Sequence, residues 1–322
     1  MSILYPWLEP YWLQLKRYQL QKRLPSGLML VGDAGLGLPE LARYFANGIF
    51  CANAKSDGNA CGQCSACLLF LAGNYPDYTF IEPEEDKKSI KIDVIRQLTQ
   101  KLSLSRQYDK PRIVVISGAD EMSHQASNSL LKTLEEPSEN TTLILIAHKI
   151  STVPATIRSR CQTISVNKLD REPMLHWLEK QGCQQANQYL ALSNDAPLKA
   201  LNLSEMNALE ARNKLFKAFL NLVDGEMDPL KFSELLISMK EFPSVSWIIS
   251  WLSDVIKINS FAPDSYINNV ELNADLKVLA KKLHSKMIYK LFDQLMAISQ
   301  LDTAQINQQL LFDDFSINCS LT

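Results

Sequence analysis

Four cysteines carry the plainest chemical signal in the chain: Cys51-x9-Cys61-x2-Cys64-x2-Cys67. Two C-x2-C steps share Cys64. The fourth thiol precedes them across Asn53-Ala-Lys-Ser-Asp-Gly-Asn59, a stretch too polar for a hydrophobic core. Four thiolates in so short a span suit tetrahedral Zn²⁺, because tight turns at each C-x2-C step present neighbouring sulfurs to one metal. With every coordination position filled by protein, such a zinc is structural rather than catalytic. A second signal is Leu28-Met-Leu-Val-Gly32-Asp-Ala-Gly35-Leu-Gly37-Leu38-Pro39, an apolar run entering a glycine-rich turn. Glu40-Leu-Ala-Arg-Tyr-Phe-Ala then reads as a helix, which completes the strand–loop–helix setting of a phosphate-binding loop. Written against G-x4-G-K-[ST], the glycines match at Gly32 and Gly37. However, Leu38 stands where the lysine would pair with phosphates, and Pro39 where a hydroxyl would ligate Mg²⁺. The loop Gly32, Gly35, Gly37, Leu38, Pro39 keeps the outline of a phosphate cradle without its catalytic groups.

The elements around these residues follow from periodicity. Trp7 to Arg23 places apolar and basic residues at helical spacing ahead of the first strand, Leu28–Val31. The stretch from Asn74 to Ile81 leads into a second strand, and the acidic turn Glu82–Lys88 reads as a solvated loop. Val94, Ile95, Leu98 and Leu102 share one helical face. Ile113–Ile116 is wholly apolar and β-branched, as a central parallel strand requires. Ser127 to Pro137 reads as an apolar-faced helix stopped by proline, and Thr141–His148 as the next buried strand. Gln162–Val166 is a short final strand. This alternation predicts a parallel, three-layer α/β domain. From Asp170 onward the strand signals vanish. Leu175/Leu178 and Tyr189/Leu190 predict a small helical domain, followed by longer stripes at Leu215–Leu220, Trp247–Val255 and Leu276–Ile298, which read as helix–helix core.

A chain of 322 residues with 46% hydrophobic and 21% charged content is expected to form two or three globular domains. Its net charge of −2 predicts no global attraction to nucleic acid. The start, Met1-Ser-Ile-Leu-Tyr-Pro-Trp, lacks the pattern of a signal peptide, and no apolar run reaches membrane-spanning length. A cytoplasmic protein is expected, in which seven cysteines are metal ligands or core thiols rather than disulfides.

Four features together resemble one family: the delta-prime subunits of bacterial DNA polymerase III clamp loaders, which have an AAA+ fold. They are the lapsed loop Gly32–Pro39, the knuckle Cys51–Cys67, the run Asn128-x-Leu-Leu-Lys-Thr-Leu-Glu-Glu-Pro137, and Ser159-Arg160-Cys161. Their order and spacing match over Met1 to Val166. The resemblance implies an AAA+ nucleotide-binding-like domain over 1–166 with a zinc insert at 51–67, a helical lid over 167–205, and a helical collar or oligomerisation domain over 206–322. It further implies a hetero-pentamer with ATPase subunits of the gamma/tau type and a delta subunit, which places a sliding clamp on primed DNA. The chain would then serve a DNA-directed DNA polymerase whose nucleotidyltransferase activity resides in other subunits.

In that resemblance Arg160, flanked by Ser159 and Cys161, is the arginine finger that reaches a neighbour's ATP site. The departures are consistent with a stator that does not itself cycle. Leu38 and Pro39 replace the lysine and hydroxyl, and Ser117-Gly118 replace the acidic pair after the third strand. His148 stands at the sensor threonine, and Leu198 stands where an arginine would meet the phosphates, with Lys199 beside it. Three other readings compete. An active AAA+ ATPase would need Asp120 or Glu121, with Lys199, to rescue the site. A zinc nucleic-acid module would need basic residues around the knuckle, where Lys55 stands alone. A thiol enzyme would need Cys161 beside His148 and an orienting third group.

Overall fold

The computed structural model describes residues 4–21, 23–55, 57–83, 89–104, 107–300 and 307–320. The greater part of the acidic turn at Glu82–Lys88 lies outside them. Two compact units divide the chain, Met1–Leu203 and Ser204–Thr322.

The first unit is built on β1 (Gly27–Val31), β2 (Tyr78–Ile81), β3 (Arg112–Ser117), β4 (Thr141–Ala147) and β5 (Gln162–Ser165). They form one parallel sheet in the order β2-β3-β4-β1-β5. Every residue of β3 and β4 is buried, which is why both read as unbroken apolar runs. Helix α1 (Glu9–Leu20) precedes β1, and helices α2 (Leu38–Phe50), α3 (Ser65–Leu71), α4 (Ile92–Ser103), α5 (His124–Glu135) and α6 (Ala155–Arg158) link the strands. Helices α7 (Arg171–Lys180), α8 (Ala186–Leu192) and α9 (Pro197–Glu205) follow. One core cluster joins Met29, Val114, Ile116, Leu143 and Leu145 of the sheet to Ile95, Leu98 and Leu102 of α4 and Leu130 and Leu134 of α5.

The helix read from Trp7 to Arg23 is instead a 3-10 turn, Pro6–Leu8, followed by α1. Pro6 and Pro10 each stand in the first turn of their element, where a missing N–H costs no hydrogen bond. At the start of β3, Arg112 is buried with its Nε 3.5 Å from the Asp77 carboxylate and donates to the carbonyls of Leu102 and Leu104. Asp77 also accepts from the backbone of Gln107 and Tyr108, so both buried charges are compensated.

Among its described residues the second unit is helical and without strands, with α10 (Ala208–Val223), α11 (Pro229–Ser238), α12 (Ser244–Asn259), α13 (Asn273–Lys282), α14 (Ser285–Gln300) and α15 (Gln308–Ser320). Phe216 and Phe219 of α10 pack on Trp251 of α12, and Phe219 also meets Phe232 of α11. The stripe Leu276–Ile298 belongs to two helices, because Leu283 turns extended between them. A buried polar network ties α10 to α12. Arg212 donates to Glu271 at 2.8 Å and to Asn269 at 2.5 Å, with its guanidinium 5.9 Å from the centre of the Trp251 ring. Fully buried Asp254 accepts from Lys257 and from the backbone of Asn268 and Asn269.

Candidate functional site: a lapsed phosphate loop, a four-cysteine knuckle and an arginine at the opposite sheet end

The loop after β1 leaves the carboxyl end of the sheet, where ligands of parallel α/β folds bind. Gly32 N–H donates to Ala147 O, and Val166 N–H donates to Val31 O, which sets the loop between the ends of β4 and β5. Gly35 (φ 92°) and Gly37 (φ 86°) adopt the left-handed conformation, and Gly37 caps α2. Leu38, at the lysine position, is 1% exposed and packs into the core. Other parts of the chain cover the loop. A Cβ on Gly37 would lie 2.5 Å from the Tyr5 ring, one on Gly35 2.7 Å from Lys199 Cγ, and one on Gly32 3.1 Å from Val166. Tyr5 is held there by stacking on Trp7 at 4.8 Å and by the edge of Trp177 at 5.5 Å, while Trp7 Nε1 donates to Leu36 O at 2.8 Å. Leu198 N–H donates to Gly35 O, so α9 is docked on the loop and Lys199 lays its stem over it.

Of the residues that could rescue the site, Asp120 is engaged elsewhere. Both oxygens of Asp120 accept backbone bonds, from His148 N at 3.1 Å and Lys149 N at 2.8 Å. Asp120 and Glu121 lie in a 3-10 turn beyond β3, after Gly118 (φ 82°). The Nδ1 of His148 is 2.9 Å from Gly32 O, which ties the sensor position to the loop backbone.

The knuckle forms where α2 ends and α3 begins: Cys51 is the C-cap of α2, Cys64 the N-cap of α3, and Cys67 lies in its first turn. The four sulfurs lie within 4.8 Å of one another, and Cys51 Sγ and Cys64 Sγ are 3.9 Å apart. A tetrahedral Zn–S shell of about 2.3 Å places its sulfurs about 3.8 Å apart, so the donor set fits zinc in kind, number and spacing. Cys61 N–H points to Cys51 Sγ at 3.2 Å and Cys64 N–H to Cys61 Sγ at 3.4 Å. Such amide donors favour thiolates. Burial pushes Cys51 and Cys67 up, whereas the N–H groups of Gln63 and Cys64 hold Cys61 down. For Cys64, burial opposes ionisation, but the N–H groups of Cys67 and Ala52 and the adjoining thiols outweigh it and bring it down to about 6. The polar loop closes on α2 where Gly48 allows contact, since a Cβ there would lie 2.6 Å from Gly58 O.

Ser159-Arg160-Cys161 connects α6 to β5, at the amino end of the sheet. A Cβ on Gly27, the first residue of β1, would lie 2.7 Å from Arg160 O, 3.1 Å from Cys161 Sγ and 3.2 Å from Leu134 Cδ2. Gly27 therefore lets the motif and α5 press against the start of β1. The Arg160 guanidinium donates through Nη1 to Thr156 O at 2.9 Å and pairs through Nη2 with Glu135 Oε1 at 2.6 Å. Burial pushes Cys161 up to about 11, which suits a packing thiol and not a nucleophile. The thiol-enzyme reading fails on position, because Cys161 adjoins the start of β1 and His148 its end. Gly27, Tyr5 and the Glu135 partner escape sequence reasoning.

These features define a class: a parallel α/β core with a lapsed phosphate loop and a cysteine-knuckle insert, followed by a C-terminal part that is helical among the described residues. Residues 8–170 match the family described as "DNA polymerase III, delta subunit", and residues 206–318 match "DNA polymerase III, delta subunit, C terminal". The DNA polymerase III subunit delta' of Pseudomonas aeruginosa is 28% identical over 319 residues, spanning 97% of this chain and 96% of that one. The subunit delta' of Yersinia pestis is 30% identical over 322 residues, spanning 96% and 93%. A gamma-subunit-related structure from Thermotoga maritima is 18% identical with a TM-score of 0.49, covering 96% of this chain and 99% of that one. The chain belongs to the DNA polymerase III delta-prime family. No helix among the described residues is long and apolar enough to cross a membrane.

Proposed function

We propose that this chain is the non-hydrolysing subunit of a cytoplasmic clamp loader, and that Arg160 serves the ATP site of a neighbouring ATPase subunit. The assembly would be a hetero-pentamer with gamma/tau-type subunits and delta, acting on the sliding clamp and primed DNA. Residues 1–166 would be the AAA+ core, 167–205 its lid and 206–322 the collar. One observation carries the reading. Arg160 abuts the first residue of β1 and the phosphate loop follows its last, so they are separated by five residues of strand, about 16 Å. An arginine at that end cannot serve its own loop, whereas it lies beside the edge strand β5, open to another molecule.

The lapsed loop supports the other half. Leu38 and Pro39 supply neither the charge nor the hydroxyl, and Tyr5 and Lys199 cover the glycines. Those missing groups provide much of the electrostatic stabilisation in phosphoryl transfer. The active-ATPase alternative is disfavoured because the carboxylate of Asp120 is spent on backbone bonds. The knuckle would hold one structural zinc on Cys51, Cys61, Cys64 and Cys67, joining α2 to α3 and leaving no open position for chemistry.

The test reconstitutes the loader with wild type, Arg160→Ala and Arg160→Lys, and measures DNA-dependent ATPase and clamp loading. Arg160→Ala should cost on the order of 10³–10⁵ in rate at the one site served. Total ATPase therefore falls modestly, and loading, which needs coordinated firing, falls further. Lysine should not rescue, because a point charge cannot reproduce the planar fork. Wild-type rates in both variants would reduce Arg160 to a local ion-pair residue.

A further inference from the structure

Arg160 is held between the short helix α6 and the carboxyl end of α5. Thr156, which accepts from Nη1, belongs to α6, and Glu135, which pairs with Nη2, is the last residue of α5. Helix carboxyl ends carry partial negative charge, so a carboxylate there is unfavourable unless a cation accompanies it. Arg160 supplies that cation at the end of α5 and also donates to the Thr156 carbonyl of α6, which accepts from Ser159 Oγ as well. The backbone beneath the pair is fixed, since Leu134 and Arg160 O both press on Gly27. The charged groups above it are not buried: the Arg160 side chain is 36% exposed and that of Glu135 49%. Exposed pairs of this kind are weak and exchange readily.

We propose that Glu135 is a positioning residue that keeps Arg160 at rest, and that it yields the guanidinium when a neighbour's triphosphate comes within reach. The proposal rests on the trans-acting reading of Arg160. The exchange replaces one anionic partner with a more highly charged one, so the guanidinium is never left unpaired. Arginine suits both states, because its fork accepts carboxylate and phosphate oxygens in similar geometry. Glu135 thus competes with the nucleotide: it weakens ATP binding at the served site and restrains firing until the neighbour is seated.

The experiment uses the full chain in the reconstituted loader, with wild type, Glu135→Gln, Glu135→Asp, Arg160→Ala and the double variant Glu135→Gln/Arg160→Ala. The quantity followed is the Arg160-dependent hydrolysis, taken as the difference from Arg160→Ala at each ATP concentration. Glu135→Gln should lower the ATP concentration for half-saturation of that component by about two- to fivefold, the range set by exposed ion pairs, without lowering its maximum. Glu135→Asp, which keeps the charge, should stay nearer wild type, and the double variant should match Arg160→Ala. A half-saturation that is unchanged or higher in Glu135→Gln, with an intact Arg160-dependent component, overturns the resting role and leaves the trans-acting reading standing. A lowered maximum would mean that Glu135 aims the arginine instead of restraining it, and overturns the proposal as well. If Arg160→Ala shows no deficit, the component does not exist and both readings fall together.

Discussion

Gly27→Ala is the substitution that most directly probes how the sheet positions Arg160. The new methyl would arrive 2.7 Å from Arg160 O, against an ordinary carbon–oxygen contact beyond 3.4 Å. The carbonyl must retreat by roughly 0.5 Å to reach even a tight contact, and Cys161 Sγ at 3.1 Å and Leu134 Cδ2 at 3.2 Å block the sideways routes. Overpacking of this kind costs about 1–3 kcal/mol, offset by up to about 1 kcal/mol because alanine restricts the unfolded chain more than glycine does. We therefore expect a net loss of about 1–2 kcal/mol in the first unit, read by urea unfolding against wild type. The functional loss should be larger in proportion, since a displacement near 1 Å at a reacting group can cost about 10²-fold in rate. Half of that displacement should lower the Arg160-dependent hydrolysis of the reconstituted loader roughly tenfold. Adding Cys161→Ala should recover only part of the loss, because the carbonyl makes the shorter contact. Unchanged stability together with unchanged hydrolysis would show that Gly27 does not set the position of the motif.

Removal of metal should act locally. The core joining the sheet to α4 and α5 contains no residue of 51–67, so chelation should expose four reactive thiols while most helical and strand signal survives in circular dichroism. Metal analysis should find one zinc per chain; none, or collapse of the whole unit on chelation, would contradict the structural role. In the second unit burial opposes ionisation of Asp254, but Lys257, Asn268 and Asn269 outweigh it and hold the carboxyl below its usual range. A depressed folded value gives stability that is present above the unfolded carboxylate value near 4 and is lost as pH falls through the folded value. Asp254→Asn should cost on the order of 2–3 kcal/mol at neutral pH and flatten the acid limb of unfolding, and an unaltered limb would exclude this carboxylate as its source.

Much of the first unit was legible because its signals are local. The runs Leu28–Val31, Ile113–Ile116 and Thr141–His148 are β1, β3 and β4 to within a residue or so at each end, since strands buried on both faces have no need to alternate. The cysteine spacing likewise encodes a converging donor set. Boundaries inside the helical stripes were less visible: neither glycine nor proline marks the break at Leu283, and a continuous apolar face hides it. Contacts made across sequence were invisible. Nothing in the order of residues says that Glu135 meets Arg160, that Tyr5 covers Gly37, or that Arg212 reaches Asn269 and Glu271. Each of these depends on packing two distant segments, which pattern and propensity do not specify.

The two ends of β1 make a stronger case together than either does alone. At its carboxyl end Leu38 is buried, Pro39 offers no N–H, and the ring of Tyr5 lies against Gly37. Losses there could be read as simple decay of an unused site. Decay does not account for the amino end, where Gly27, Leu134, Thr156 and Glu135 converge to place one guanidinium, half exposed, beside the edge strand. A purely structural ion pair needs no such exposure, and as an exposed pair it contributes little to stability. Besides its in-chain partners Glu135 and Thr156, the exposed guanidinium is within reach of an anion from outside the chain. Under the proposed role that anion is a neighbour's nucleotide. An inert loop then helps, since a subunit that does not change shape with its own ATP can hold Arg160 in one place while the neighbour cycles.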